Sequence, residues 1–215
     1  GNDPLKAYGK TTDLTAMGGA QYVHTFDKCF FMPSDLTAGL EYNRDRLKDN
    51  MWGYDRHTDQ TVNIYSAFLQ NEWKNDRWGI LIGGRLDKHN MVDNVIFSPR
   101  ANLRFNPTQN INLRLSYSSG FRAPQAFDED MHIENVGGTV AMIERAKNLK
   151  EEKSQSFSAS ADMYHRFGVF QTNFLIEGFY TRLTDVFVLG EPYDRGDGIL
   201  VKTRSNGPGA KVMGL

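Results

Sequence analysis

Alternation with a period of two constrains this chain more than any other feature. Across Asn110–Ser118 the apolar Ile111, Leu113, Leu115 and Tyr117 interleave with Asn112, Arg114, Ser116 and Ser118. Successive side chains of a strand point to opposite faces, whereas a helix would scatter both sets around its surface. The pattern therefore predicts a strand with one apolar and one polar face. It recurs along the chain. Ala101, Leu103 and Phe105 oppose Arg100, Asn102 and Arg104. Trp78, Ile80, Ile82 and Leu86 oppose Arg85 and Asp87. Leu36, Ala38, Leu40 and Tyr42 oppose Asp35, Thr37 and Glu41. Phe157, Ala159, Ala161 and Met163 oppose Ser156, Ser158, Ser160 and Asp162, and Thr172, Phe174, Ile176 and Tyr180 oppose Asn173, Glu177 and Thr181. Further strands are expected near residues 12–26, 61–73 and 199–206, the middle one with blurred alternation. The fold class is all-β, read as an antiparallel up-and-down meander.

Strand length and connection length sharpen that reading. Strands of soluble sheets run about five or six residues, whereas several here reach nine or more, near the ~9–11 that cross a bilayer at a tilt. Short connections are expected at Lys74–Arg77, Asn106–Asn110 and His165–Gly168, and long ones over residues 48–60, 88–97, 122–153 and 184–198. Short and long alternate, as in a membrane barrel with tight turns at one rim and loops at the other. Trp73 and Trp78 flank one turn, and Tyr117 and Phe121 close another strand, positions that suit aromatic girdles and also an ordinary β-core. Trp78–Ile82 and Val186–Leu189, the longest apolar stretches, fall far short of a helical membrane span. A mean hydropathy of −0.53 agrees with polar loops and one polar face per strand. With 25 basic against 26 acidic residues, the chain lacks the positive excess of a nucleic-acid binder. A single cysteine, Cys29, excludes an intrachain disulfide and a four-thiolate zinc site, and beside Phe30, Phe31 and Met32 it is expected to be a buried small hydrophobe.

One stretch says more than its periodicity. Tyr117-Ser-Ser-Gly-Phe-Arg-Ala-Pro124 ends a strand before an acidic loop, Asn148-Leu-Lys-Glu-Glu-Lys-Ser154 leads into the next, and Phe97-Ser-Pro-Arg-Ala-Asn-Leu-Arg-Phe105 comes before both. Together they resemble the barrel of TonB-dependent outer-membrane receptors, with Glu151 standing where that family commonly has Pro. Val201–Asn206 resembles the first strand of the family's next hairpin. The resemblance covers about residues 61–215; the first sixty residues join it only through strand pattern.

The resemblance implies a segment of a 22-stranded barrel around a plugged lumen. Residues 1–215 are then a partial barrel domain of nine or ten strands, with the plug and the C-terminal strands lying outside it. It implies the outer membrane of a Gram-negative bacterium, and active uptake of a scarce nutrient complex such as siderophore-iron, cobalamin, haem or an oligosaccharide. Energy from the inner-membrane proton gradient would arrive through TonB acting on the plug. The expected partners are the transported complex, TonB and outer-membrane lipid, without nucleic acid and without covalent catalysis. Strand parity makes Arg100, Asn102, Arg104, Asn112 and Arg114 the lumen-facing candidates for ligand contact, although arginines there could equally salt-bridge the plug. Arg122, Asp128, Asp130 and His132 are the extracellular-loop candidates. No cofactor is implied, but Asp128, Glu129 and Asp130 offer oxygen ligands of the kind calcium takes. Arg122 could bind those carboxylates or a lipid headgroup; the plainer reading is a structural loop anchor. An open segment exposes unpaired edges and an apolar face, so an excised chain is expected to self-associate through strand edges.

The remaining motifs have plainer readings. The five histidines are at least 32 residues apart and form no local zinc pair. Gly83-Gly84 sits inside a strand, Ser118-Ser-Gly120 lacks the leading glycine of a nucleophile elbow, and the Arg-Gly-Asp triplet at 195–197 reads as a turn. Asp55, His57 and Asp59 read, like the acidic stretch at 128–132, as solvated loop residues with the same claim to a cation. The competing functional readings are another outer-membrane barrel, such as a porin, secretion channel or adhesin, and a soluble β-sandwich that binds carbohydrate.

Overall fold

The computed structural model describes residues 9–54, 56–125, 134–136, 139–196 and 198–215. In chain order the strands are β1 (Gly9–Cys29), β2 (Met32–Met51), β3 (Arg56–Lys74), β4 (Trp78–His89), β5 (Ile96–Thr108), β6 (Ile111–Arg122), β7 (Glu134–Val136) and β8 (Thr139–Arg145). They continue with β9 (Glu152–Phe167), β10 (Phe170–Thr184), β11 (Phe187–Leu189), β12 (Tyr193–Asp194), β13 (Ile199–Asn206) and β14 (Ala210–Gly214). Nine of them build one antiparallel sheet in the order β1-β2-β3-β4-β5-β6-β9-β10-β14. Each strand follows its chain neighbour except where a long connection supplies strands to a second sheet, ordered β11-β13-β8-β7 with β12 against β13.

Register carries the sequence alternation into two continuous faces. Leu40 faces Ala67, which faces Leu86; Ile82 faces Ala101, which faces Tyr117; Tyr117 faces Phe157, which faces Tyr180. One face of the wall is thus apolar from β1 to β14, and the other carries Glu41, Ser66, Arg85, Arg100, Ser118, Ser156 and Thr181. A one-residue slip anywhere would exchange the faces, so this alternation fixes the register. A wall one layer thick has no second layer to make a core. Leu40, Leu69, Ile82 and Leu115 are 66, 55, 57 and 54% exposed, far more contiguous apolar surface than a soluble monomer leaves in water.

Aromatic pairs mark two levels on this face. Near the short turns, Phe31 stacks on Trp73 at 5.7 Å and Trp78 on Phe105 at 4.2 Å. Toward the loops, Tyr42 meets Tyr65 at 4.9 Å and Tyr117 meets Phe157 at 4.8 Å. From Trp73 to Tyr65 the strand rises about 27 Å at ~3.4 Å per residue, or roughly 20 Å of height at a 40° tilt. That is close to the apolar band of a transmembrane barrel. The Trp73 indole N–H also donates to the Cys29 carbonyl at 2.9 Å, tying β3 to the β1–β2 turn. Cys29 itself is only partly buried, because it sits at the rim beside that turn rather than inside a core.

The buried apolar residues gather at the loop rim. Val92, Ile96 and Ala123 form a cluster that Phe121 caps, and Met142 and Val201 are buried where the second sheet sits. Phe121 thus packs on this rim cluster.

Several expected boundaries move. The expected connection over 48–60 is mostly strand, because β2 and β3 stay paired up to Met51 opposite Arg56. The 88–97 connection contracts to residues 90–95. Val201–Asn206 is not the next wall strand. It lies in β13, which pairs in parallel with β8 from Ile199 opposite Val140 to Arg204 opposite Arg145, and the ninth wall strand is β14, paired with β10. Alternation alone could not separate these cases, since a strand of a rim sheet with one covered face carries the same period.

Candidate functional site

The polar face and the loop rim hold the chemistry. Arg100, Asn102, Arg104, Asn112 and Arg114 all lie on the polar face, opposite Ser118, Ser116, Arg114, Asp162 and Arg104 respectively. They do not form one cluster. The Arg104 guanidinium donates to the carbonyls of Asn75 at 3.0 Å and Trp78 at 3.4 Å, so it holds the β3–β4 turn. The Asn112 amide donates to Asn106 Oδ1 at 2.7 Å and braces the β5–β6 turn. Arg114 lies one strand from Ser160, which faces Glu177. Arg100 sits nearer the loops, on a concave surface shared with Glu41, Gln70 and Arg85.

That surface contains a network that single-sequence reading missed. Asp87, 3% exposed, accepts from the Ser66 hydroxyl at 2.6 Å and from Arg85 Nε at 2.8 Å. Arg85 Nη2 donates to Ser66 Oγ at 2.8 Å, and Nη1 lies 2.6 Å from Glu41 Oε2. Alternation had put Arg85 and Asp87 on the polar face, but nothing local in sequence points to Glu41 or Ser66 two strands and one strand away.

At the loop rim, Arg56, His57, Arg145, Lys147 and Arg195 line a cleft of about 600 Å³, with Met91, Pro124 and Glu144 also at its wall. Three of these basic side chains are held by neighbours. Arg56 pairs with buried Asp49 at 2.7 Å, His57 Nδ1 lies 2.9 Å from Asn50 Oδ1, and Arg145 donates to Gln60 Oε1 at 2.8 Å. His89, fully buried below, accepts the Met91 N–H on Nδ1 at 3.0 Å, which leaves its proton on Nε2, 3.3 Å from Gln125 Oε1. Asp59 points elsewhere, ion-paired with Lys48 at 3.3 Å and Arg46 at 3.7 Å.

Residues of the resembling motifs fasten the loops to the wall. Arg122 stacks over the Phe187 ring at 5.7 Å, and the Phe187 N–H donates to Glu152 Oε2 at 2.9 Å. Asn206 bridges the two long connections: its side chain accepts from the Lys150 N–H and donates to the carbonyls of Lys150 and Asp185. Burial raises the affinity of the Glu151 carboxyl for its proton, but its own backbone hydrogen bond and the Lys153 ammonium 3.0 Å away outweigh that and hold it below the ordinary carboxylate value. In the Arg-Gly-Asp triplet, Gly196 takes a φ of +101° and its N–H donates to Asp194 Oδ1, as in a turn. Asp55, Asp128, Asp130, His132 and Asp197 lie outside the described residues. Among the described residues no group of three or more His, Cys, Asp or Glu side chains comes together as a metal site.

Comparison with known proteins supplies the remaining findings. Residues 2–215 match the family described as TonB dependent receptor-like, beta-barrel. Among solved structures, the siderophore receptor PirA from Pseudomonas aeruginosa is 16% identical over 97% of this chain and 39% of its own, with a TM-score of 0.81. A mutant of the ferric enterobactin receptor PfeA from the same organism, in complex with enterobactin, is 19% identical over 99% of this chain and 34% of its own, with a TM-score of 0.72. The FrpB iron transporter from Neisseria meningitidis is 16% identical over 95% and 33%, with a TM-score of 0.66. At these identities the likeness is one of fold, and the chain spans well under half of each neighbour. No curated protein matches the sequence.

Proposed function

Given that the chain belongs to the TonB-dependent receptor-like β-barrel family, we propose that it is part of the wall of an outer-membrane active transporter that takes up an anionic iron–siderophore complex. The observation that carries this reading is the cleft of Arg56, His57, Arg145, Lys147 and Arg195 at the loop rim, above a polar wall face and backed by an apolar one. An apolar outer face belongs in lipid, a polar inner face around a water-filled or plugged lumen, and the rim with long connections outside the cell. Arginine and lysine at an outward-opening cleft attract an anionic chelate and steer its arrival. The siderophore and iron receptors among the fold neighbours favour iron over the cobalamin, haem or oligosaccharide alternatives.

In this reading Arg100 and Asn102 meet the ligand, or the plug that it displaces, below the cleft. Arg104 and Asn112 keep the periplasmic turns in shape instead. A plug and the remaining strands lie elsewhere in the receptor, and TonB acts through that plug. The acidic stretch Asp128–Asp130 with His132 is a candidate calcium loop. The work is non-covalent: capture, sealing and release.

The test is uptake of ⁵⁵Fe-loaded siderophores by a strain lacking the receptor, complemented with the native gene or with Lys147→Glu/Arg195→Glu. Deletion should abolish uptake of one anionic chelate in a gradient-dependent way. The charge-reversed receptor should bind it roughly tenfold or more weakly, a loss of about 1.4 kcal/mol. Uptake that persists after the gradient is collapsed would favour a passive porin and overturn the proposal.

A further inference from the structure

The rim cleft is assembled from connections far apart in the chain. Lys147 comes from the one between β6 and β9, and Arg195 from the one between β10 and β14. Parallel pairing of β8 with β13 joins the two, but it ends at Arg145 opposite Arg204. Lys147 and Leu149, which line the cleft, lie past that point.

Two residues of β13 hold the segment that carries them. The Ala146 N–H donates to the Arg204 carbonyl at 2.9 Å. Asn206, the last residue of β13, accepts the Lys150 N–H on Oδ1 at 2.8 Å and donates from Nδ2 to the Lys150 carbonyl at 3.0 Å. Its carboxamide thus meets Lys150 as a neighbouring strand would, with one acceptor and one donor for the same residue. Between these two ends the Leu149 N–H closes a turn on the Ala146 carbonyl at 3.3 Å. Nδ2 also donates to the Asp185 carbonyl at 2.7 Å, where the chain leaves β10 with Asp185 in the left-handed region at a φ of +54°. One side chain therefore fixes both connections. The position suits asparagine: aspartate has no proton to donate, and glutamine carries its amide one methylene further out.

We infer that Asn206 is a positioning residue for the anionic ligand. It holds residues 146–150 against β13 so that Lys147 and Arg195 share one cleft, and it does not itself line that cleft. The inference rests on the anionic-chelate reading above.

The experiment uses the whole receptor in phosphatidylcholine vesicles, native, with Asn206→Leu, and with Asn106→Leu as a control. Asn106 makes a bond of the same kind at the opposite rim, donating to the Asp76 carbonyl at 3.1 Å. Nitroxides are placed at Lys147→Cys and Arg195→Cys, with serine replacing Cys29 and every other cysteine, and their separation is read by pulsed electron resonance. Native receptor and control should give one narrow distance distribution, and Asn206→Leu a broad one. Without labels, binding is read with the ⁵⁵Fe-siderophore that the native receptor takes up in the test above. Asn206→Leu should bind it about tenfold more weakly, the low end of the effect where one residue orients another's binding group. Uptake at saturation should be unchanged, and the control should match the native receptor throughout. On a Lys147→Gln/Arg195→Gln background, adding Asn206→Leu should cost less than about twofold, whereas independent residues would multiply their losses. If Asn206→Leu fails to insert, the smaller Asn206→Ser replaces it in each arm. An unbroadened distance distribution overturns the inference, as does unchanged binding, equal weakening by Asn106→Leu, or a loss that persists in full on the neutralised background. Broadening in a receptor whose native form binds no siderophore keeps the positioning role and refutes the chelate reading instead.

Discussion

Replacing Arg85 by methionine tests whether the polar face is held by its buried network or merely wetted. Asp87 is almost fully buried and has two donors, Ser66 at 2.6 Å and Arg85 at 2.8 Å. Removing the guanidinium leaves that carboxylate with the hydroxyl alone and strips a donor from Ser66 and the ion-pair partner from Glu41. Breaking a fully buried pair costs about 3–5 kcal/mol. Arg85 is 38% exposed and Glu41 40%, so solvent screens part of the loss, and the exposed Glu41 arm is worth about 0–1 kcal/mol. The expected destabilisation is therefore about 2 kcal/mol. Urea unfolding of the receptor barrel in phosphatidylcholine vesicles measures it. The double variant Arg85→Met/Asp87→Leu should recover most of the loss, because an apolar pair leaves no orphan charge, and the cycle should report a coupling of about 1.5 kcal/mol. An Arg85→Met loss below about 0.5 kcal/mol, with no coupling to Asp87, would refute the reasoning.

Further expectations can be checked on the same material. The depressed Glu151 carboxyl contributes stability that is fully present above its ordinary value of 4.5 and is lost as pH falls through the lower folded-state value; Glu151→Gln should flatten that acid limb of the unfolding profile. A methyl group at Gly209 would stand 2.5 Å from the Leu183 carbonyl oxygen, and backbone cannot yield as a side chain can. Gly209→Ala should therefore cost about 1–3 kcal/mol, read as a lower unfolding midpoint. Trp73→Phe removes the indole bond to the Cys29 carbonyl and should cost about 1 kcal/mol, measured in the same way. The isolated 215-residue chain, whose β1 and β14 edges are unpaired in the sheet order, should sediment as oligomers without detergent; a clean monomer would count against the open-wall picture.

The wall was legible because one solvent dictates one face. A continuous apolar face demands apolar side chains at every second position, so Ile111, Leu113, Leu115 and Tyr117 reveal both strand and register. Above Tyr42 and Tyr65 that demand ends, and Lys48–Met51 and Arg56–Gln60 look like loop although backbone pairing carries β2 and β3 through them. The turn-holding roles of Arg104 and Asn112 and the partners of Arg85 were hidden for another reason. Parity assigns a side chain to a face, while its partner is chosen by register between strands distant in sequence.

The parallel pairing of β8 with β13 also has a kinetic consequence. The paired positions Val140 and Ile199 are 59 residues apart, and the β9–β10 hairpin lies between them in the chain. Closing so long a loop before that hairpin exists gains few contacts against its entropy. The rim sheet therefore assembles last, onto a finished hairpin, and a pulse-labelled receptor should protect β9 and β10 amides from exchange before those of β13.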